Sequence, residues 1–122
     1  MSDSPVIDPL AIEGLRALDP DNTGAFLFEI IGIFLDDTPQ RIAELDESLA
    51  AGDANRLART AHSIKGSSSN LGAVGLRAIC EKLEHQVRTN GLAEVAPLVA
   101  TVKIEFGRAQ VELAKLLPPK PA

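Results

Sequence analysis

The 122-residue chain has no Trp, no Tyr and only four Phe. That shortage argues against a sandwich or barrel, whose strands draw on aromatic and β-branched side chains. There is one cysteine, Cys80, so no disulfide can form within the chain. Its place between Ile79 and Leu83, on an apolar period, marks a buried core thiol. Basic charge is not in excess either: the formal net charge is -5. Lys and Arg are scattered singly, which removes the electrostatic footprint of a nucleic-acid binder. Long hydrophobic runs are also missing. The greasiest stretch, AFLFEIIGIFL, is interrupted by Glu29 and too short to span a bilayer. The first residues, MSDSPVIDPL, hold acids and prolines where a secretory signal has a basic head and an apolar run. A cytoplasmic protein with no membrane partner is expected.

What remains is 45% hydrophobic and 24% charged, enough Leu, Ile, Val and Ala to build an aliphatic core in one domain over residues 1–122. A 3.6-residue period predicts a short leading helix, Asp8 to Leu18, with Asp8 as N-cap and Pro9 at the first helical position. DPDNTG breaks it. A long helix follows from Thr23 to Ala51, with Leu27, Ile30, Ile31, Phe34, Thr38, Ile42, Leu45 and Leu49 on one side. Pro39 predicts a kink or break near Asp36 to Thr38. The next helix, capped by Asp53, runs to Leu71. Another runs from Val74 to Thr89 with Leu76, Ile79, Cys80, Leu83 and Val87 inward, and the last from Glu94 to Leu117 with Pro97 in its first turn. Such short connections make the helices antiparallel neighbours. The expected fold is all-α: an up-and-down four-helix bundle over about residues 23–117, with the extra N-terminal helix and its cap in 1–22 and a frayed tail at 118–122.

AHSIKGSSSNLGA, residues 61–73, stands out because glycine costs a helix interior about 1 kcal/mol relative to alanine and serine is mediocre there. On a wheel of about 100 degrees per residue, Leu57, Ala61, Ile64, Ser68 and Leu71 define the core face. His62 points about 140 degrees away from it. Its own face carries Ala58, Gly66, Ser69 and Asn55. These are small or short residues where Lys and Glu usually stand, so the imidazole occupies a clearing suited to an incoming electrophile or a docking protein. Lys65 flanks the ring, either as a snorkelling boundary residue or as a cation that offsets added negative charge.

TAHSIKGSSSNLGA resembles the signature of histidine-containing phosphotransfer (HPt) domains, in which Lys and Gly follow the histidine at the third and fourth positions and a Leu-Gly-Ala turn closes the small-residue run. FLFEIIGIFLDDTPQRIAELDESLAAGD and LRAICEKLEHQVRTNG resemble the family's flanking helices. The resemblance implies that His62 carries a phosphoryl group between receiver-domain aspartates or a histidine kinase, with Lys65 assisting electrostatically and Gly66 giving clearance. It also implies a Gln or Glu twenty-two residues after the histidine, which here is Glu84. Glu84 either orients the imidazole or is a plain surface residue at the edge of its helix, and geometry distinguishes the two.

The implied partners are a receiver domain and a sensor or hybrid histidine kinase. They would dock over Ala58, Asn55, Ser69 and Arg59, with Phe28 and Leu35 assigned either to that surface or to packing on the leading helix. No cofactor of the chain's own is expected, because Walker-type and kinase-like glycine motifs and metal-spaced acids are absent from the sequence; Mg2+ is expected on the receiver. The chain is thus read as a carrier and not a self-sufficient enzyme, and as a monomer, since one helix face must stay uncovered. The rival within the family is an adaptor of the same shape that regulates a receiver or kinase without being phosphorylated. A metal enzyme of the four-helix class would need inward histidines, and neither His62 nor His85 points inward. His85, set among Glu81, Lys82, Arg88 and Thr89, reads as a surface residue.

Overall fold

The computed structural model describes residues 5–19, 21 and 23–118. They form α1 (Pro9–Ala17), α2 (Ala25–Ala51), α3 (Ala54–Asn70), α4 (Val74–Asn90) and α5 (Ala96–Ala114). The local chemistry explains most boundaries. Asp8 accepts the Leu10 N–H at 3.0 Å at the start of α1, and Asp53 accepts the Arg56 N–H at 3.1 Å at the start of α3. Gly52, at φ 69°, ends α2 in the left-handed conformation. The last helix starts at Ala96 and not at the expected Glu94, because Glu94 itself sits at φ 60° in the preceding turn. Pro97 lies in its first turn, where no backbone donor is missed. Most of the DPDNTG break is described, but Pro20, Asn22 and residues 119–122 of the expected tail lie outside the described residues.

The break expected in the long helix is absent: α2 runs through Pro39 without interruption. Pro39 is on the solvent face, where carbonyls pushed off the helix axis stay accessible. The nearby Asp36 carbonyl accepts the side-chain amide of Gln40 at 3.3 Å. Thr38 next to it is buried at 2% exposure, so the inner face stays packed through the proline.

Among the bundle helices, α2 packs on α3, α3 on α4, α4 on α5, and α5 returns to α2, while α1 rests on α2. The ring encloses Leu27, Ile31, Leu45, Leu57, Ile64, Leu76, Leu83, Val102 and Leu113, all essentially inaccessible to solvent. Phe34 and Phe106 meet across the core with centroids 5.8 Å apart. Cys80 is buried as expected, and burial pushes its thiol up to about 12. No helix among the described residues is long and apolar enough to cross a membrane.

The turn after α3 decides how that helix meets α4. The Ala73 N–H bonds the Ser68 carbonyl at 2.9 Å and the Gly72 N–H bonds the Ser69 carbonyl at 3.2 Å, the paired bonds of a Schellman ending. Gly72 supplies the left-handed residue at φ 69°. The leading segment fastens onto the same turn: Asp8 N–H donates to the Gly72 carbonyl at 2.8 Å, and Ile7 forms an isolated bridge with Ala73. A Cβ on Gly72 would lie 2.8 Å from the Ala11 Cβ. Backbone strain and overpacking therefore act together in Gly72→Ala, and a loss of about 2–4 kcal/mol is expected. An unchanged urea midpoint would contradict this account of the turn.

Candidate functional site

His62 lies in the middle of α3 with its side chain 64% exposed. Its Nδ1 is 3.2 Å from Glu84 Oε1, which reaches across from α4. The same oxygen accepts from Lys65 Nζ at 3.0 Å, and the other carboxylate oxygen accepts from Arg88 Nε at 3.1 Å. Glu84 is only 13% exposed. Burial pushes its carboxyl up, but the hydrogen bonds from Lys65, His62 and Arg88 outweigh burial and hold it at about 2. An ionised carboxylate only accepts, so in the neutral ring it favours the tautomer with the proton on Nδ1, which leaves the lone pair on Nε2.

The clearing around the ring is built from α3 itself. A Cβ placed on Gly66 would meet nothing within 4 Å, so the glycine answers to no neighbour within the described chain. The three serines that follow each turn back on their own helix: Ser67 to the Ser63 carbonyl at 3.3 Å, Ser68 to Ile64 at 2.6 Å and Ser69 to Lys65 at 3.0 Å. Ser69, the one of the three on the His62 face, is thereby satisfied without projecting outward, which keeps the surface beside the ring low.

Acid titration probes the carboxylate hub. Glu84's folded value near 2 lies below its ordinary 4.5, so its ionised form stabilises the fold fully above pH 4.5 and that contribution disappears as the pH falls through 2. Glu84→Gln keeps an acceptor for Nδ1 but has no charge to lose. Between pH 6 and pH 3 the wild-type urea midpoint should fall further than that of Glu84→Gln. Equal falls would mean that the three donors do not hold the carboxylate.

Other site expectations meet the structure unevenly. Asn55, Arg59 and Ser69 are exposed around His62, as placed from the sequence, and His85 is exposed on α4. Ala58 is not part of that surface: it is 2% exposed. It shares the flank of α3 that carries Lys65, and that flank is covered by α4, where a small residue lets the helices close up. As to the two readings for Phe28 and Leu35, both side chains are partly buried. The Phe28 ring folds against Gly24, within about 3.0 Å of where a Cβ there would sit, and Leu35 packs on the core. The exposed apolar side chains of α2 are instead Phe26 and Ile33, at 38% and 56%. Ile33 borders a groove of about 140 Å³ with Phe34, Asp37, Ser67 and Asn70, between α2 and the C-terminal half of α3.

Arg88 was also missed. The available signal was its spacing, four residues after Glu84 on one helix face, a favourable Glu-to-Arg pair.

Comparison with known proteins bears on the fold and the family. The crystal structure of histidine-containing phosphotransfer protein B from Pseudomonas aeruginosa superposes with a TM-score of 0.82 at 31% identity, covering 93% of this chain and 96% of that one. Multistep phosphorelay regulator 1 of Schizosaccharomyces pombe is 29% identical over 85 residues, which are 70% of this chain and 29% of that protein. Histidine-containing phosphotransfer protein 4 of Arabidopsis thaliana is 32% identical over 76 residues, 61% of this chain and 60% of that protein. The chain thus spans less than two thirds of the length of these two relatives. A family model described as Hpt domain matches residues 29–115. A bundle that fits an Hpt structure over nearly all of both chains, matched by the family model over most of its length, places this chain in the Hpt domain family.

Proposed function

We propose that this chain is a phosphorelay carrier in which His62 Nε2 takes a phosphoryl group from a receiver-domain aspartyl phosphate, or from a histidine kinase, and passes it to another receiver. The supporting observation is the 3.2 Å contact of Nδ1 with an ionised Glu84 beneath a ring that is 64% exposed. In the step, the Nε2 lone pair forms the N–P bond as the acyl-phosphate O–P bond breaks, and the electron pair leaves on the aspartate. The Nδ1 proton stays in place. The ring gains positive charge next to the Glu84 carboxylate, and the two cations held on that carboxylate, Lys65 and Arg88, offset the added phosphate charge. No proton has to be transferred, so the reverse step meets the same arrangement.

The receiver supplies Mg2+ and the cations around the phosphorus, and the carrier works without a cofactor of its own. Docking uses the low surface around Gly66 and Ser69, with Asn55 and Arg59 at the rim and Ile33 in the neighbouring groove. Both donor and recipient must leave, so the contact is small and transient. The test is to incubate the protein with a labelled phospho-receiver and recover the label in acid-labile, alkali-stable form. Binding without any such label would favour the adaptor reading.

A further inference from the structure

The outer face of α5 carries a pattern that the bundle does not use. Ala100, Ile104, Gly107, Val111 and Ala114 follow one another at steps of four, three, four and three residues. On a helix they form a stripe within about 80 degrees, pointing about 140 degrees away from the core residues Val99, Val102, Phe106, Ala109 and Leu113. Ile104 is 64% and Val111 56% exposed, Ala100 and Ala114 are exposed, and a Cβ on Gly107 would meet nothing within 4 Å. Alternating four- and three-residue steps are the spacing of a coiled-coil seam, and small residues at every seventh position allow close helix approach.

We propose that this face pairs with the same face of a second copy of the chain, antiparallel about a two-fold axis near Gly107. The stripe reads almost the same in both directions from Gly107: a β-branched residue three or four positions away, then alanine seven positions away. The axis therefore sets Ile104 against the copy's Val111, Ala100 against its Ala114, and glycine against glycine, an isologous contact.

Charge favours a like partner over a strongly charged one. The flanking cations are already paired within the chain: Lys103 with Asp46 at 2.9 Å, Arg108 with Glu105 at 3.0 Å and Lys115 with Glu112 at 2.8 Å. A helix rich in one sign would compete with those pairs. In the antiparallel arrangement Lys103 meets Gln110, Lys115 meets Thr101, and the one like-charge meeting, Arg108 with Arg108, is neutralised by Glu105 on each side. Two heptads of helix contact bury on the order of 1,000 Å², below the usual stable interface, so the dimer is weak and depends on concentration. Because α5 packs on α2 and α4 and His62 stands on α3, both histidines stay open in the pair.

Sedimentation velocity from ~20 µM to ~1 mM is expected to show a monomer moving toward a dimer. Ile104→Glu with Val111→Glu should weaken dimerisation at least about 10-fold, while helicity and phosphoryl uptake from a phospho-receiver stay unchanged. Under mild oxidation Gly107→Cys should cross-link at least about 10-fold faster than Lys82→Cys on α4, because the two-fold axis brings only position 107 within disulfide reach. The buried Cys80 does not compete. A monomer at ~1 mM, a dimer that persists in the double variant, or equal cross-linking of the two cysteine variants would each overturn the proposal.

Discussion

His62→Gln is expected to take up no phosphoryl group from a labelled phospho-receiver while unfolding at nearly the wild-type denaturant concentration. The fold has little stake in the ring: it is 64% exposed, and among the described residues its side-chain hydrogen bond is to Glu84. Glutamine is a good helix former and leaves Lys65 and Arg88 on the carboxylate, so the stability change should stay within about 0.5 kcal/mol. The chemistry, by contrast, has no substitute. An amide nitrogen has no available lone pair, and His85, the one histidine left, stands exposed on a different helix. Equal labelling of both proteins would move the carrier away from His62. Label lost together with helicity would show that the ring holds the fold.

Gly66→Leu should fold at least as well as wild type and transfer poorly. The position is open, with nothing within 4 Å of a Cβ, so no core contact is strained. Leucine also gains about 0.8–1 kcal/mol of helix propensity over glycine. The new side chain stands one turn from His62, on the side from which a receiver would approach Nε2 in the proposed transfer. A misplacement of about 1 Å at a reacting centre costs on the order of 100-fold, and a leucine imposes more than that. Phospho-receiver uptake should therefore slow by at least about 100-fold, with Gly66→Ala falling between. Wild-type transfer by Gly66→Leu would mean that the clearing has no part in docking.

Much of this was legible in the sequence because helices declare themselves through a 3.6-residue period and short polar breaks. The inward faces of α3 and α4 followed from that period, as did the outward direction of His62. Residues that depend on a neighbouring helix were harder to read. Ala58 shares a face with His62 on a wheel, yet a wheel contains no α4 to cover it. Phe28 and Leu35 lie off the main stripe of α2, but a gap at Gly24 and the core edge take them in, while Ile33 stays out. A missing donor alone predicts a break at Pro39, whereas the inner face of α2 is packed tightly enough to carry the helix through it. The role of Glu84 was left open from the sequence because only the distance across two helices separates an orienting carboxylate from a surface one.

The back-bonded serines bear on chemoselectivity. Ser67 and Ser69 stand within two turns of His62 and are nucleophiles in principle, but each hydroxyl hydrogen is committed to a carbonyl of its own helix. A phosphate ester on either would be a thermodynamic sink from which no aspartate could recover the group. In the proposed transfer, muting the alcohols would keep the cargo on nitrogen, in a bond labile enough to be handed on.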